Sequence, residues 1–203
     1  MNPLNTIKGT IIGGFVIAIV IALLYSLSHQ KGLNAMSLTV WLHVLAGITW
    51  IGLLYYFNFI QGPALAAAAA DQGGPGGAGI NKYVAPLALV WFRWGAVGTW
   101  VTGVGALYHL NLLGDAFTLG MLNHNVAGLW IGVGAWFGTI MLFNVWVLIW
   151  PNQKKVLGMV EATAEEIAKA RRIAFLASRT NTLLSIPMLM SMVSVGHGGW
   201  FLY

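Results

Sequence analysis

Long apolar runs separated by short polar intervals dominate the 203-residue chain, and the runs have the length of membrane helices. Crossing a hydrocarbon core about 30 Å thick takes roughly 20 helical residues. Five stretches meet that need, at about 10–28, 38–60, 84–110, 125–150 and 182–202. The pattern predicts an all-α integral membrane bundle of about five transmembrane helices, forming a single domain over 1–203. Lys8 ahead of the first run also fits a signal peptide, but the run is too long for one and Ser26 to His29 make a poor cleavage site. The first run is therefore expected to remain as a membrane helix.

Two intervals carry further information. Residues 71–79, rich in glycine, read as a flexible linker without a fixed site. Residues 151–181 contain Thr163-Ala-Glu-Glu166, a capping box, then Ile167, Ala170, Ile173 and Ala174 at helical spacing, which predicts an interfacial amphipathic helix over about 163–176.

Composition agrees with this picture: 58% of residues are hydrophobic and 7% charged, far from a soluble domain. There are no cysteines, so this chain has no thiolate metal ligand, no cysteine nucleophile and no covalent haem attachment. The net charge of +5 comes from loops between apolar runs, not from a basic patch with interleaved aromatics, which argues against nucleic acid as a partner and leaves membrane lipid. Lysine and arginine are retained on the cytoplasmic side. With a cytoplasmic N-terminus, Lys8, Lys82, Arg93, Lys154, Lys155, Lys169, Arg171, Arg172 and Arg179 fall on or near that side and only Lys31 falls outside. The expected topology has the N-terminus in the cytoplasm and Tyr203 outside it, in a multi-pass protein of a bacterial inner membrane.

On that topology His43, His109, His124 and His197 all lie toward the outer ends of four different helices, whereas His29 sits in an external loop. Ionisable groups within a membrane are costly and mark function more often than chance, and neutral imidazole is a ligand for haem iron. Any one of these histidines taken alone reads as a packing residue; four at one depth suggest convergence. Gly47, Gly105 and Gly128 each lie one turn from a histidine on the same side, toward the membrane interior, and would give a porphyrin room for close approach. Membrane helices also use glycine simply to pack, as the Gly128/Gly132 and Gly134/Gly138 spacings allow. His43 is the first axial candidate, with His124 or His197 opposite and His109 in reserve or on a second haem, giving a cofactor set of one haem b or two.

Arg93, between Trp91, Phe92 and Trp94, reads as an interfacial anchor reaching for the headgroups. Asn144, inside the fourth run, must find a partner across a helix interface. Trp50 reads as core, and Asp115 as a loop carboxylate. No phosphate-binding glycine loop or paired serine nucleophile appears, and no carboxylate lies at mid-membrane, which counts against transport.

The run Trp41-Leu-His43-Val-Leu-Ala-Gly47-Ile-Thr-Trp50-Ile-Gly52 resembles the membrane domain of the bacterial urate hydroxylase family, the urate oxidase N-terminal domain. Similar stretches are Phe92 to Trp100 followed by Thr102-Gly103, Gly138 to Val145, Pro151 to Lys155, and Leu184 to His197, all in the expected order. Thr180 stands before Asn181 where the family is expected to have a His-Asn pair. The resemblance implies a helical membrane domain linked to oxidation chemistry and electron transfer to a cytochrome. Full-length members continue into a c-type cytochrome domain beyond the position of Tyr203.

The leading expectation is a haem b membrane protein for electron transfer, serving an external cytochrome c or a larger respiratory or oxidase complex. An enzyme oxidising urate or a related purine with a separate cytochrome c is the second reading. A cofactor-free accessory subunit is the third.

Overall fold

A computed structural model describes residues 2–197. Gly198 to Tyr203, where the last predicted span ends, lie outside the described residues. The described chain is helical throughout, without strands, and has five helices long and apolar enough to cross a membrane. These are α1 (Ile7–His29), α2 (Ala35–Ala70), α3 (Ile80–His109), α5 (Val126–Val156) and α6 (Ala164–Gly196); the short α4 (Leu113–Phe117) lies between α3 and α5.

The chain divides into two units, Met1–Leu38 and Thr39–Tyr203. In the first, α1 is started by Thr6, whose hydroxyl accepts from the Gly9 amide at 3.0 Å, and ended by Gln30 in a left-handed conformation (φ 51°). At about 1.5 Å per residue it is long enough to span a bilayer.

In the second unit, contacts between helices define a ring. His43, Trp50 and Phe57 of α2 face Gly103, Gly95 and Phe92 of α3 in turn, so these helices run antiparallel. Arg93 and Trp100 of α3 meet Trp150 and Thr139 of α5, again antiparallel. Gly134 and Asn144 of α5 bond to Ser191 and Asn181 of α6, while Tyr55 and Asn58 of α2 bond to Ser185 and Ser178. The result is an up-down-up-down bundle, α2–α3–α5–α6, closed by α6 on α2.

Its interior inverts the rule for a soluble protein. Ser185, Ser191, Ser194 and Asn181 of α6 are almost fully buried, while Ile48, Phe59, Val101, Phe143 and Ile186 are exposed on the outside. Apolar side chains outside and hydrogen-bonded polar ones inside are what a lipid solvent selects. The buried polar groups of the seam between α5 and α6 find partners. Asn144 donates to Asn181 Oδ1 at 2.8 Å, which supplies the cross-helix partner expected for it, and Asn181 donates to the Met141 carbonyl at 3.0 Å. The Ser191 hydroxyl accepts from the Gly134 amide at 2.9 Å and donates to the Trp130 carbonyl, so it bridges two backbone groups one turn apart on α5. Around this seam Trp50, Leu54, Phe92, Met141 and Val145 form the apolar core.

Three helices widen to π-helical geometry, at Tyr56–Gln61, Ile80–Val84 and Asn144–Ile149. Pro63, Pro86 and Pro151 follow these stretches two residues later. A proline ring collides with the carbonyl four residues back and offers no N–H. Here the residue just before each proline bonds five residues back: Gly62 to Phe57, Ala85 to Ile80 and Trp150 to Val145. The wide turn lets the helix continue through the proline, which is why α2, α3 and α5 outrun their predicted bounds.

The predicted interfacial helix and last span are one uninterrupted helix, α6, since no glycine or proline separates Ala164 from Ile186. Its start is the predicted capping box. Thr163 Oγ1 accepts from the Glu166 amide at 3.2 Å and Glu166 Oε2 accepts from the Thr163 amide at 2.9 Å, with Lys155 paired to Glu166 at 3.4 Å.

Candidate functional site

At the end of the ring where the wide turns lie, α2, α3, α5 and α6 border a half-open cavity of about 710 Å³. Gly62, Ala85 and Ile149, at or beside the three π-helical stretches, all line it, so the widened backbone opens the space. Arg171, Ala174, Phe175 and Ser178 line it from one face of α6, at positions i, i+3, i+4 and i+7, and Arg179 flanks them. The Arg179 guanidinium lies 5.3 Å from the Phe175 ring. Asn58 gives both its N–H groups away, to the Leu54 carbonyl at 2.9 Å and to Ser178 Oγ at 2.8 Å, leaving its oxygen as its remaining polar atom. Gln61 is nine-tenths buried and its Oε1 has no partner. Gly77 and Ala78 also line the space. The glycine-rich stretch expected to be a free linker thus forms part of a wall. Among the described residues, no carboxylate and no histidine lines the cavity.

The histidines occupy the opposite end. His43 is eight residues into α2, His109 ends α3, His124 precedes α5 and His197 follows α6, so all four share one end of the ring. They do not form a cluster: among the described residues no group of three or more His, Asp or Glu could hold a metal ion. His109, His124 and His197 are exposed, and only His43 is partly buried. Its Nδ1 lies 2.8 Å from the Thr99 carbonyl of α3. A carbonyl can only accept, so Nδ1 carries the proton and Nε2 is the ring's basic atom. That is the arrangement by which proteins hold a metal-ligating histidine in place.

The glycines follow a different logic from the one their spacing suggested. The His43 ring lies over Gly103 of the neighbouring helix, where an added Cβ would come within 2.9 Å of Cε1. Gly47 and Gly105 sit instead against the Thr99 and Thr39 methyls, as contacts between α2 and α3. His124 adopts a left-handed conformation (φ 51°) ahead of the helix, and Asn125 is the residue that caps α5, accepting from the Ala127 and Gly128 amides at 3.0 and 3.3 Å. Gly128 is therefore not a helix neighbour of His124. It receives Asp115, and Gly132 receives the Ala116 backbone, so both glycines admit α4. Asp115, expected in an open loop, is buried in α4 and accepts from Asn123 and Asn125 at 2.8 and 2.9 Å.

Arg93 also departs from expectation. Its guanidinium stacks 3.7 Å from the Trp150 ring of α5, with Nε and Nη1 buried and unpartnered. The aromatic support comes from the next helix, while the sequence neighbours Trp91 and Trp94 are exposed.

Residues 116–201 match the model of the family described as urate oxidase N-terminal. Over that stretch, which is less than half of the chain, the sequence is similar to the urate oxidase N-terminal family. No curated protein and no solved structure matches the chain. The urate oxidase N-terminal stretch takes in α5 and α6, and with them Asn144, Asn181, Arg171 and Arg179. His43 and Gly103 precede it, on α2 and α3. The five helices long and apolar enough to cross a membrane make this a multi-pass membrane protein.

Proposed function

We propose that the chain is the membrane part of an oxidoreductase related to urate oxidation, and that it carries a haem b with His43 as one axial ligand. The observation that carries this reading is the bond from His43 to the Thr99 carbonyl, which fixes the ring and directs its basic nitrogen away from the backbone that holds it. Gly103 is the floor against which the ring rests. His124, His197 and His109 stand at the same end as candidates for the second axial position, or for a second haem. A bound haem supplies one-electron transfer there. The chain's own residues contribute orientation: α2 and α3 hold the ring.

In the enzymatic form of this reading, a urate-like purine loses two electrons and gains a hydroxyl from water, and two protons are released. The electrons pass to an external cytochrome c or to a larger membrane complex. Basic residues near the cavity end favour a cytoplasmic location for that end and an extracytoplasmic one for the histidines, in a bacterial inner membrane.

A difference spectrum of dithionite-reduced minus oxidised protein, with a pyridine haemochrome assay, tests the proposal. A b-type band that also appears on adding urate is expected from the chain purified in mild detergent. A folded protein without haem would instead favour the accessory-subunit reading.

A further inference from the structure

We propose that the half-open cavity bordered by α2, α3, α5 and α6 holds the headgroup of an anionic glycerophospholipid, with its phosphodiester on Arg171 and Arg179 and its acyl chains against the outside of the bundle. Charge sets the sign of the ligand. Arg171 and Arg179 line the space from α6, and among the described residues no carboxylate lines it. The ion pair of this end joins Lys155 to Glu166, so neither arginine has an acidic partner. A guanidinium fork matches the oxygens of a phosphate. The two arginines stand eight residues apart, roughly 12 Å along the helix. Phe175 lies midway on the same face, with the Arg179 guanidinium 5.3 Å from its ring. Asn81 of α3 and Gln153 of α5 also line the cavity, and their amide N–H groups can serve the phosphodiester oxygens that the arginines leave.

Position selects a lipid over a soluble anion. Toward this end the bond from Asn58 to Ser178 is the last hydrogen bond between α2 and α6 among the described residues, yet α2 runs on to Ala70 and α6 begins as far back as Ala164. Close to that bond in sequence, Phe59 and Ile60 of α2 and Phe175 and Leu176 of α6 are exposed. Apolar side chains turned outward beside unpaired arginines mark the boundary between hydrocarbon and headgroups, and basic pockets between membrane helices at that depth take up anionic headgroups. A soluble anion would use the arginines and leave the apolar rim bare; acyl chains cover it. The cavity volume of about 710 Å³ lies within the roughly 300–1,000 Å³ of organic-ligand sites, and a bare phosphate ion would leave most of it empty. Gln61 Oε1, buried without a partner in the wall, accepts from any donor, N–H or O–H. Once charge has made the ligand anionic, the hydroxyls of a glycerol headgroup supply that donor. Among the described residues no histidine lines the space, so the lipid site is independent of the haem proposed for the other end.

Native mass spectrometry of the full chain in mild detergent is the test, with titrations of phosphatidylglycerol, of zwitterionic phosphatidylethanolamine, and of phosphatidylglycerol against excess inorganic phosphate. Saturable binding of phosphatidylglycerol is expected, with phosphatidylethanolamine at least about tenfold weaker and inorganic phosphate without effect. Arg171→Gln and Arg179→Gln each weaken phosphatidylglycerol about tenfold or more. Arg172→Gln, which does not line the cavity, leaves it unchanged. Ala66→Trp keeps every charge but fills the space from α2, and it abolishes binding. Arg171, Arg179 and Ala66 are all exposed, so the variants are expected to unfold at the parent's midpoint without lipid, and the comparison of the two lipids on the unaltered chain is a test of its own. Equal affinity for the two lipids, unchanged binding in the arginine variants or in Ala66→Trp, an equal loss in Arg172→Gln, or displacement by inorganic phosphate would each overturn the proposal, the last by making the cavity a site for a soluble anion.

Discussion

His43→Ala is expected to give a folded bundle without the reduced b-type band, while Gly103→Ala keeps the haem but shifts the band or its midpoint potential. The two substitutions act on one ring in different ways. The first removes the Nε2 atom that the Thr99 bond leaves as the ring's base. The second leaves that atom but places a methyl group 2.9 Å from Cε1, so the ring must move off its floor. A structural histidine predicts another pair of outcomes, in which both variants lose a little stability and neither touches the spectrum. Absorption spectra of the two purified variants, normalised to protein, decide between them, and full haem content in His43→Ala would falsify the ligand assignment.

Gly132→Leu is expected to have the largest effect on stability of any glycine substitution in α5. The added side chain would have to pass through the Ala116 carbonyl, a backbone group that cannot rotate away. Overpacking of this kind costs about 3 kcal/mol or more. Displacing Ala116 would also drag α4, and with it Asp115 and the two asparagines it accepts from, one of which caps α5. The loss would therefore spread from one contact to the start of the helix. Gly52→Leu is the control, because nothing lies within 4 Å of a Cβ there, and it should stay within about 0.5 kcal/mol. Thermal unfolding of both variants in the same detergent tests the contrast; equal midpoints would mean that α4 is not held as described.

The membrane helices were legible in the sequence because a bilayer demands a simple thing, about 20 apolar residues in a row, and runs such as 10–28 and 125–150 meet it without ambiguity. The capping box at Thr163 was legible for the same reason, since its two hydrogen bonds are local. Contacts between helices were not. Spacing tied His43 to Gly47 on its own helix, yet the ring rests on Gly103 sixty residues later in the chain, and only the fold brings α2 and α3 together. Asp115 looked like a loop carboxylate because its two amide partners come from a turn whose shape no periodicity announces. The cavity was missed altogether. Its signal was present as three prolines near the ends of apolar runs, but a proline ordinarily ends a helix, and here the backbone goes around it instead.

Those wide turns have a mechanical consequence. A π-helical turn holds one residue more than an α-helical one, so each is a reserve of slack that a helix can take up or release. Three of the four ring helices carry such slack at the cavity end, and none carries it at the end where glycines draw α4 against α5. Amide exchange is therefore expected to be faster across Tyr56–Gln61 and Asn144–Ile149 than across the stretch from Gly128 to Gly134. One end of the bundle behaves as a clamp and the other as a hinge, so a guest could be admitted at the second without loosening the first.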